Sequence, residues 1–184
     1  VFLDNHDRNR FLTEAGGNID KLQNALTFLF TVRGHPIVFQ VTEQNKGNLY
    51  DDLMVGLADT WNRWSMVEKD ENGNVVADYF NTGTDTYHLI AELNELKDAY
   101  PALSYGVQRE MWSSDNLYAF SRRIDANGDE IICAFNNSDT KKSAYVSLRA
   151  ESSIQPGTVL ENVMDSSDRI TVSRSNKIAL EVQG

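Results

Sequence analysis

Residues able to do acid–base and ionic chemistry crowd into one short stretch near the start of the sequence, Asp4-Asn5-His6-Asp7-Arg8-Asn9-Arg10. It follows the apolar run Val1-Phe2-Leu3, which reads as the end of a buried strand. Ligand sites gather at the C-terminal ends of parallel strands, so a His–Asp pair there is a candidate site. His6 can donate a hydrogen bond to a substrate hydroxyl. Asp7 can oppose positive charge that develops in a transition state. A bare His–Asp pair is more often structural, and the pair alone does not decide. His35 and His88 stand in no comparable cluster and read as structural or solvated.

The elements that must position these residues follow from period and punctuation. Ile19, Leu22, Leu26, Leu29 and Val32 recur at helical spacing, with Asn18 or Asp20 as cap and Gly34 and Pro36 as terminators. The run Pro36-Ile37-Val38-Phe39-Gln40-Val41 suits a strand buried on both faces, as in a parallel sheet, and Thr42-Glu43-Gln44 marks its polar end. Residues 45–82 show no clear period, and a loop of that length is functional or an insertion. Within it Asn72-Gly73 predicts a hairpin between Met66-Val67 and Val75-Val76. A second helix begins at Thr84 or Asp85, buries Leu89, Ile90, Leu93, Leu96 and Tyr100, and stops at Pro101.

From about Ser104 the pattern becomes all-β. Runs at 105–112, 116–124, 130–136, 143–149, 157–163, 168–173 and 177–182 are punctuated by Asn127-Gly128 and Pro156-Gly157. This predicts an antiparallel sandwich or barrel with Phe120, Ile132, Phe135, Val146 and Leu160 in its core. The first half is incomplete by its own logic. Two parallel-type strands and two helices cannot bury a sheet, so neighbouring strands are expected from elsewhere.

Composition narrows the function classes. The net charge is −10 and 41% of residues are hydrophobic. An acidic balance argues against nucleic acid and anionic membranes as partners, which both need basic patches. No stretch is long and apolar enough to span a bilayer. The single cysteine, Cys133, lies in an apolar run and is expected to be a buried, inert thiol.

The string Phe2-Leu3-Asp4-Asn5-His6-Asp7 resembles the fourth signature region of the alpha-amylase family, and Arg10-Phe11 resembles its continuation in cyclodextrin glucanotransferases and related bacterial amylases. Residues 25–39 with Thr42-Glu43-Gln44 resemble the family's seventh helix and eighth strand. Gln40 stands where the pattern has an aromatic and Val41 where it has Gly. Gly56-Leu57-Ala58-Asp59-Thr60-Trp61-Asn62-Arg63 resembles the family's Gly-x-x-Asp-Pro-x-Asn-Arg loop, with Thr60 in place of Pro. Pro101-Ala102-Leu103-x-x-Gly106 resembles its junction to the C-terminal domain.

The resemblance implies α/β followed by all-β. Residues 1–103 would be the C-terminal portion of a (β/α)8 barrel, and 104–184 an antiparallel Greek-key β-sandwich. It implies a retaining glycosidase acting on α-1,4-glucosidic bonds of starch-like glucans. Asp7 matches the transition-state-stabilising carboxylate. His6, Arg10, Asp59 and Arg63 fall with the substrate-binding residues, and Trp61 and Trp64 can stack on sugars or simply pack. The nucleophile and the acid/base lie on earlier strands in the family, so the isolated chain is expected to be inactive without the missing N-terminal barrel portion. No metal site and no cofactor are expected in this chain. Calcium is common in the family, on ligands outside these residues. The resemblance also implies an extracellular, otherwise cytoplasmic, protein. Two alternatives stay open: a catalytically inert amylase-like scaffold, or a sugar-binding β-module using Tyr105, Trp112, Tyr118 and Tyr145.

Overall fold

The computed structural model describes residues 1–48, 62, 63 and 65–184. These form two compact units, Val1–Phe30 with Gly34–Glu95, and Thr31–Arg33 with Leu96–Gly184.

In the first unit a short helix, α1 (Phe11–Glu14), precedes α2 (Ile19–Thr31). Asn18 caps α2 by accepting the Lys21 amide at 2.9 Å on Oδ1. Leu22, Leu26, Leu29 and Phe30 are all buried, as the helical period requires, whereas Ile19 is exposed. The helix ends before Gly34, whose φ of 112° suits only glycine. β1 (Val67–Lys69) and β2 (Val75–Asp78) form the expected hairpin, turned by Gly73 at φ 83°. The turn is braced by Asp70, whose carboxylate accepts the Asn72 and Asn74 amides at 2.9 Å each. α3 (Asp85–Ala99) is capped by Thr84, which accepts the Tyr87 amide at 3.1 Å. Of the apolar face expected for it, only Leu93 is fully buried.

Both expected parallel strands need correction. Phe2 and Ile37 meet in a single parallel bridge, with the Ile37 amide donating to the Val1 carbonyl at 2.8 Å. Phe2 and Ile37 are exposed, at 50% and 59%. Parallel ladders persist where partners flank them and both faces are covered. Here the two segments find one another and stop. Beyond Ile37 the chain bends instead of extending, with Val41 at φ 59° and Asn45 at φ 56°.

Pro101 does not simply end α3 but opens α4 (Pro101–Tyr105), where its missing amide costs nothing. The second unit then carries β3 (Val107–Ser113), β4 (Leu117–Arg123), β5 (Glu130–Asn136), β6 (Lys142–Ser147), β7 (Val159–Asn162), β8 (Asp165–Thr171) and β9 (Lys177–Val182). All seven expected strands are present, and all their pairings are antiparallel: β3-β4-β5, β6-β9 and β7-β8. The sheets share one core of Ala119, Val146, Leu148, Val172, Ile178 and Leu180, with Ile132 and Leu160 packed against it. β4 is buried on both faces. Ala119 faces that core, while Phe120 stacks on Phe135 at 6.0 Å. Arg122 is buried too, and its guanidinium donates to the carbonyls of Gly106 at 3.1 Å and Thr31 at 2.6 Å. Cys133, opposite Phe120, is buried as expected, and burial pushes its thiol up to about 12.

Candidate active site

The site is built outward from a buried ion pair. Asp4 and Arg10 are 5% and 0% exposed. Asp4 Oδ2 accepts from Arg10 Nε at 3.1 Å and from the Phe11 amide at 2.7 Å. The pair closes residues 4–11 into a loop. Arg10 Nη2 then reaches the other segment, donating to the Gln40 carbonyl at 3.0 Å and to Thr42 Oγ1 at 2.7 Å. Its guanidinium also covers the Phe39 ring, 4.9 Å from the centroid. The Arg10 amide donates to Asn48 Oδ1 at 2.8 Å. A charge in such a setting is tolerable only because it is paired and hydrogen-bonded.

This corrects the expectation for Arg10. With no exposed surface it cannot touch a ligand from solvent, and its hydrogen bonds serve Asp4, Gln40 and Thr42. It is a positioning residue. The bend that turns the Gln40 carbonyl toward it includes Val41, fully buried and left-handed, a conformation that is strained for a β-branched side chain.

The residues held on the outside of this loop are His6 and Asp7. The Asp7 amide donates to Asn5 Oδ1 at 2.8 Å, a local turn that points the chain outward. His6 Nε2 lies 3.1 Å from Asp7 Oδ1, and the His6 ring stands 6.2 Å from Phe39. Arg63 Nη2 lies 4.0 Å from the same Asp7 oxygen. The side chains of His6, Asp7 and Arg63 are 40%, 64% and 43% exposed. The structure therefore brings three of the sequence-predicted residues together. Asp59, Trp61 and Trp64 lie outside the described residues.

Glu43 does not join this cluster. It lines a groove of about 370 Å³ with Phe39, Gln40, Tyr87 and Asn94, while Thr84 donates to its carbonyl at 2.5 Å. His35 and His88 are exposed, and His88 meets the Tyr87 ring edge-on at 6.0 Å. Among the described residues no group of His, Cys, Asp or Glu converges as a metal site, and no helix is long and apolar enough to cross a membrane. In the β-rich unit Tyr118 packs 5.6 Å from Phe120, whereas Tyr105 and Tyr145 are highly exposed and Trp112 partly so.

Two residues that sequence reasoning left without a role prove central. Asp4 carries the signal of an acid placed six residues before Arg10. Asn62 sits inside the quoted loop motif, is 2% exposed, and donates from Nδ2 to the Arg8 carbonyl at 2.6 Å. Chemically, the cluster offers an accessible carboxylate between a His and an Arg. It can hold sugar-like hydroxyls and oppose cationic charge.

Comparison with known proteins gives a consistent picture. The chain is 43% identical over 145 residues to a beta/alpha-amylase of Paenibacillus polymyxa, covering 75% of this chain and 10% of that protein. It is 32% identical over 181 residues to an alpha-amylase of Niallia circulans, covering 97% of this chain and 30% of that protein. The structure of a cyclomaltodextrin glucanotransferase with a three-domain ABC distribution superposes with a TM-score of 0.67 at 26% identity, covering all of this chain and 34% of that one. The chain thus spans 10–30% of the length of these two curated relatives. No protein-family profile matches it.

Proposed function

This chain belongs to the alpha-amylase family, and from that membership we propose that it is part of a retaining glycoside hydrolase acting on α-1,4-glucosidic bonds of starch-like glucans. The observation that carries this reading is the convergence of His6, Asp7 and Arg63 above the buried Asp4–Arg10 pair. Asp7 opposes the positive charge of an oxocarbenium-like transition state. His6 donates to a hydroxyl of the sugar at the cleavage point. Arg63, with Asp59, holds sugars farther toward the non-reducing end. The nucleophile and the proton donor come from earlier strands outside these residues, so the isolated chain does not hydrolyse glucan.

Residues 1–103 are, in this proposal, the end of a (β/α)8 barrel, and 104–184 its C-terminal domain with Greek-key connections. Exposed Phe2 and Ile37, joined by one parallel bridge, support the first part, since they lie where a parallel sheet would continue. The seven antiparallel strands support the second. The kinship to amylases and a glucanotransferase does not favour an inert scaffold or a free-standing sugar-binding module.

The test is Asp7→Asn in the full-length protein. It keeps the shape and removes the charge, so kcat on soluble starch should fall by about 10²–10³. KM and melting temperature should change far less, because the side chain is exposed and buries no partner. Wild-type turnover by this variant would end the catalytic assignment.

A further inference from the structure

We propose that Asn62 is the positioning residue that sets Arg63 beside Asp7, an inference that rests on the site reading above. Asp7 is followed directly by Arg8, and Arg63 is preceded directly by Asn62. One hydrogen bond, Asn62 Nδ2 to the Arg8 carbonyl at 2.6 Å, therefore joins the two chain segments at the residues adjacent to the functional pair. The pair itself cannot supply this order. Asp7 and Arg63 are 64% and 43% exposed and 4.0 Å apart. An ion pair of that kind gains little against side-chain entropy and is screened by salt. What ties the two segments is the part-buried hydrogen bond to the backbone beneath it.

The residue type fits the task. Asn62 has a φ of 48° and is 2% exposed. Glycine, asparagine, aspartate and histidine are the residues that most readily take the left-handed conformation. Of these, asparagine is the smallest with a side-chain N–H to give to a carbonyl. The chain at this point needs both properties together. The substrate consequence is preorganisation: with the Arg63 backbone held, its guanidinium meets the non-reducing-side sugars without first being ordered.

The experiment is a double-mutant cycle in the full-length protein, with kcat and KM measured on maltoheptaose for Asn62→Gly, Arg63→Ala and the double variant. Glycine keeps the left-handed backbone and removes the clamp. Arg63→Ala is expected to lower kcat/KM by about tenfold or more, mostly through KM. Asn62→Gly should reproduce a large part of that loss. Because it acts through Arg63, the double variant should be no worse than Arg63→Ala alone. Losses that multiply would overturn the proposal and leave the site reading intact. Unchanged kinetics for Arg63→Ala would overturn that reading and this proposal with it. Asn62→Asp keeps the shape and the left-handed preference but loses the N–H. It should fail like Asn62→Gly and also melt lower, because its carboxylate is buried against the Arg8 carbonyl. Wild-type kinetics for it would refute the clamp, and the coupling of Asn62→Gly to Arg63→Ala is the readout that a mere loss of fold would not give.

Discussion

Arg63 stands 4.0 Å from Asp7 although the two lie on segments far apart in the sequence. The relationship gives Arg63 a place in the site on geometric grounds, independent of any motif. Asp7 itself remains exposed. The loop it sits on is tied from below by Arg10 and from the side by Asn62.

Arg10 makes a prediction opposite to that of a binding residue. Replacing it with Met leaves the Asp4 carboxylate buried without its counter-charge, which typically costs about 3–5 kcal/mol. Urea denaturation should show that loss. Asp4→Asn should be damaging as well, since it strands the Arg10 guanidinium. Normal stability with weakened glucan binding would return Arg10 to the substrate-contacting set.

Gly106 is required for space rather than for conformation. Its φ and ψ of −68° and 147° are open to any residue. A Cβ there would lie 2.4 Å from the Ala102 carbonyl oxygen and 2.7 Å from the Arg123 amide nitrogen, both backbone atoms that cannot swing aside. Gly106→Ala should therefore destabilise by about 1–3 kcal/mol or more. It should also disturb the Arg122 bond to the Gly106 carbonyl. A thermal melt of the variant checks this, and an unchanged midpoint would show that the α4–β3 junction is looser than it stands here.

Cys133 predicts a pH dependence of stability. Burial raises its thiol from an ordinary value of 9.0 to about 12 in the folded chain. The unfolded chain therefore loses this proton first. The thiol's contribution is fully present below pH 9 and is lost as pH rises toward 12, with a total on the order of a few kcal/mol. Urea midpoints measured at pH 8 and pH 10.5 should show the decline, and Cys133→Ala should lessen it. Slow reaction of the native thiol with a disulfide reagent at pH 8, and fast reaction after unfolding, would confirm the burial.

Much of the β-rich half was legible because strand and turn signals are local. Alternating side chains and turn residues such as Gly128 and Gly157, both left-handed here, operate over a few residues. The Leu22, Leu26 and Leu29 face of α2 was legible for the same reason. The segment at 36–41 misled because its apolar, β-branched composition describes the surroundings a strand needs, not the presence of a partner to pair with. Without flanking ladders it makes one bridge and bends at Val41.

Within the site, sequence alone determined that His6 and Asp7 are adjacent, polar and placed after an apolar run, and that Arg63 follows an asparagine. It could not decide which charges face solvent. Arg10 and Arg63 are the same side chain with the same intrinsic chemistry, yet one is sealed against Asp4, Gln40 and Thr42 while the other lies open beside Asp7. Only tertiary structure made that division. Burial and pairing are set by atoms that arrive from 30 or more residues away, and a charged side chain takes its role from whether those atoms replace water around it or leave it wet.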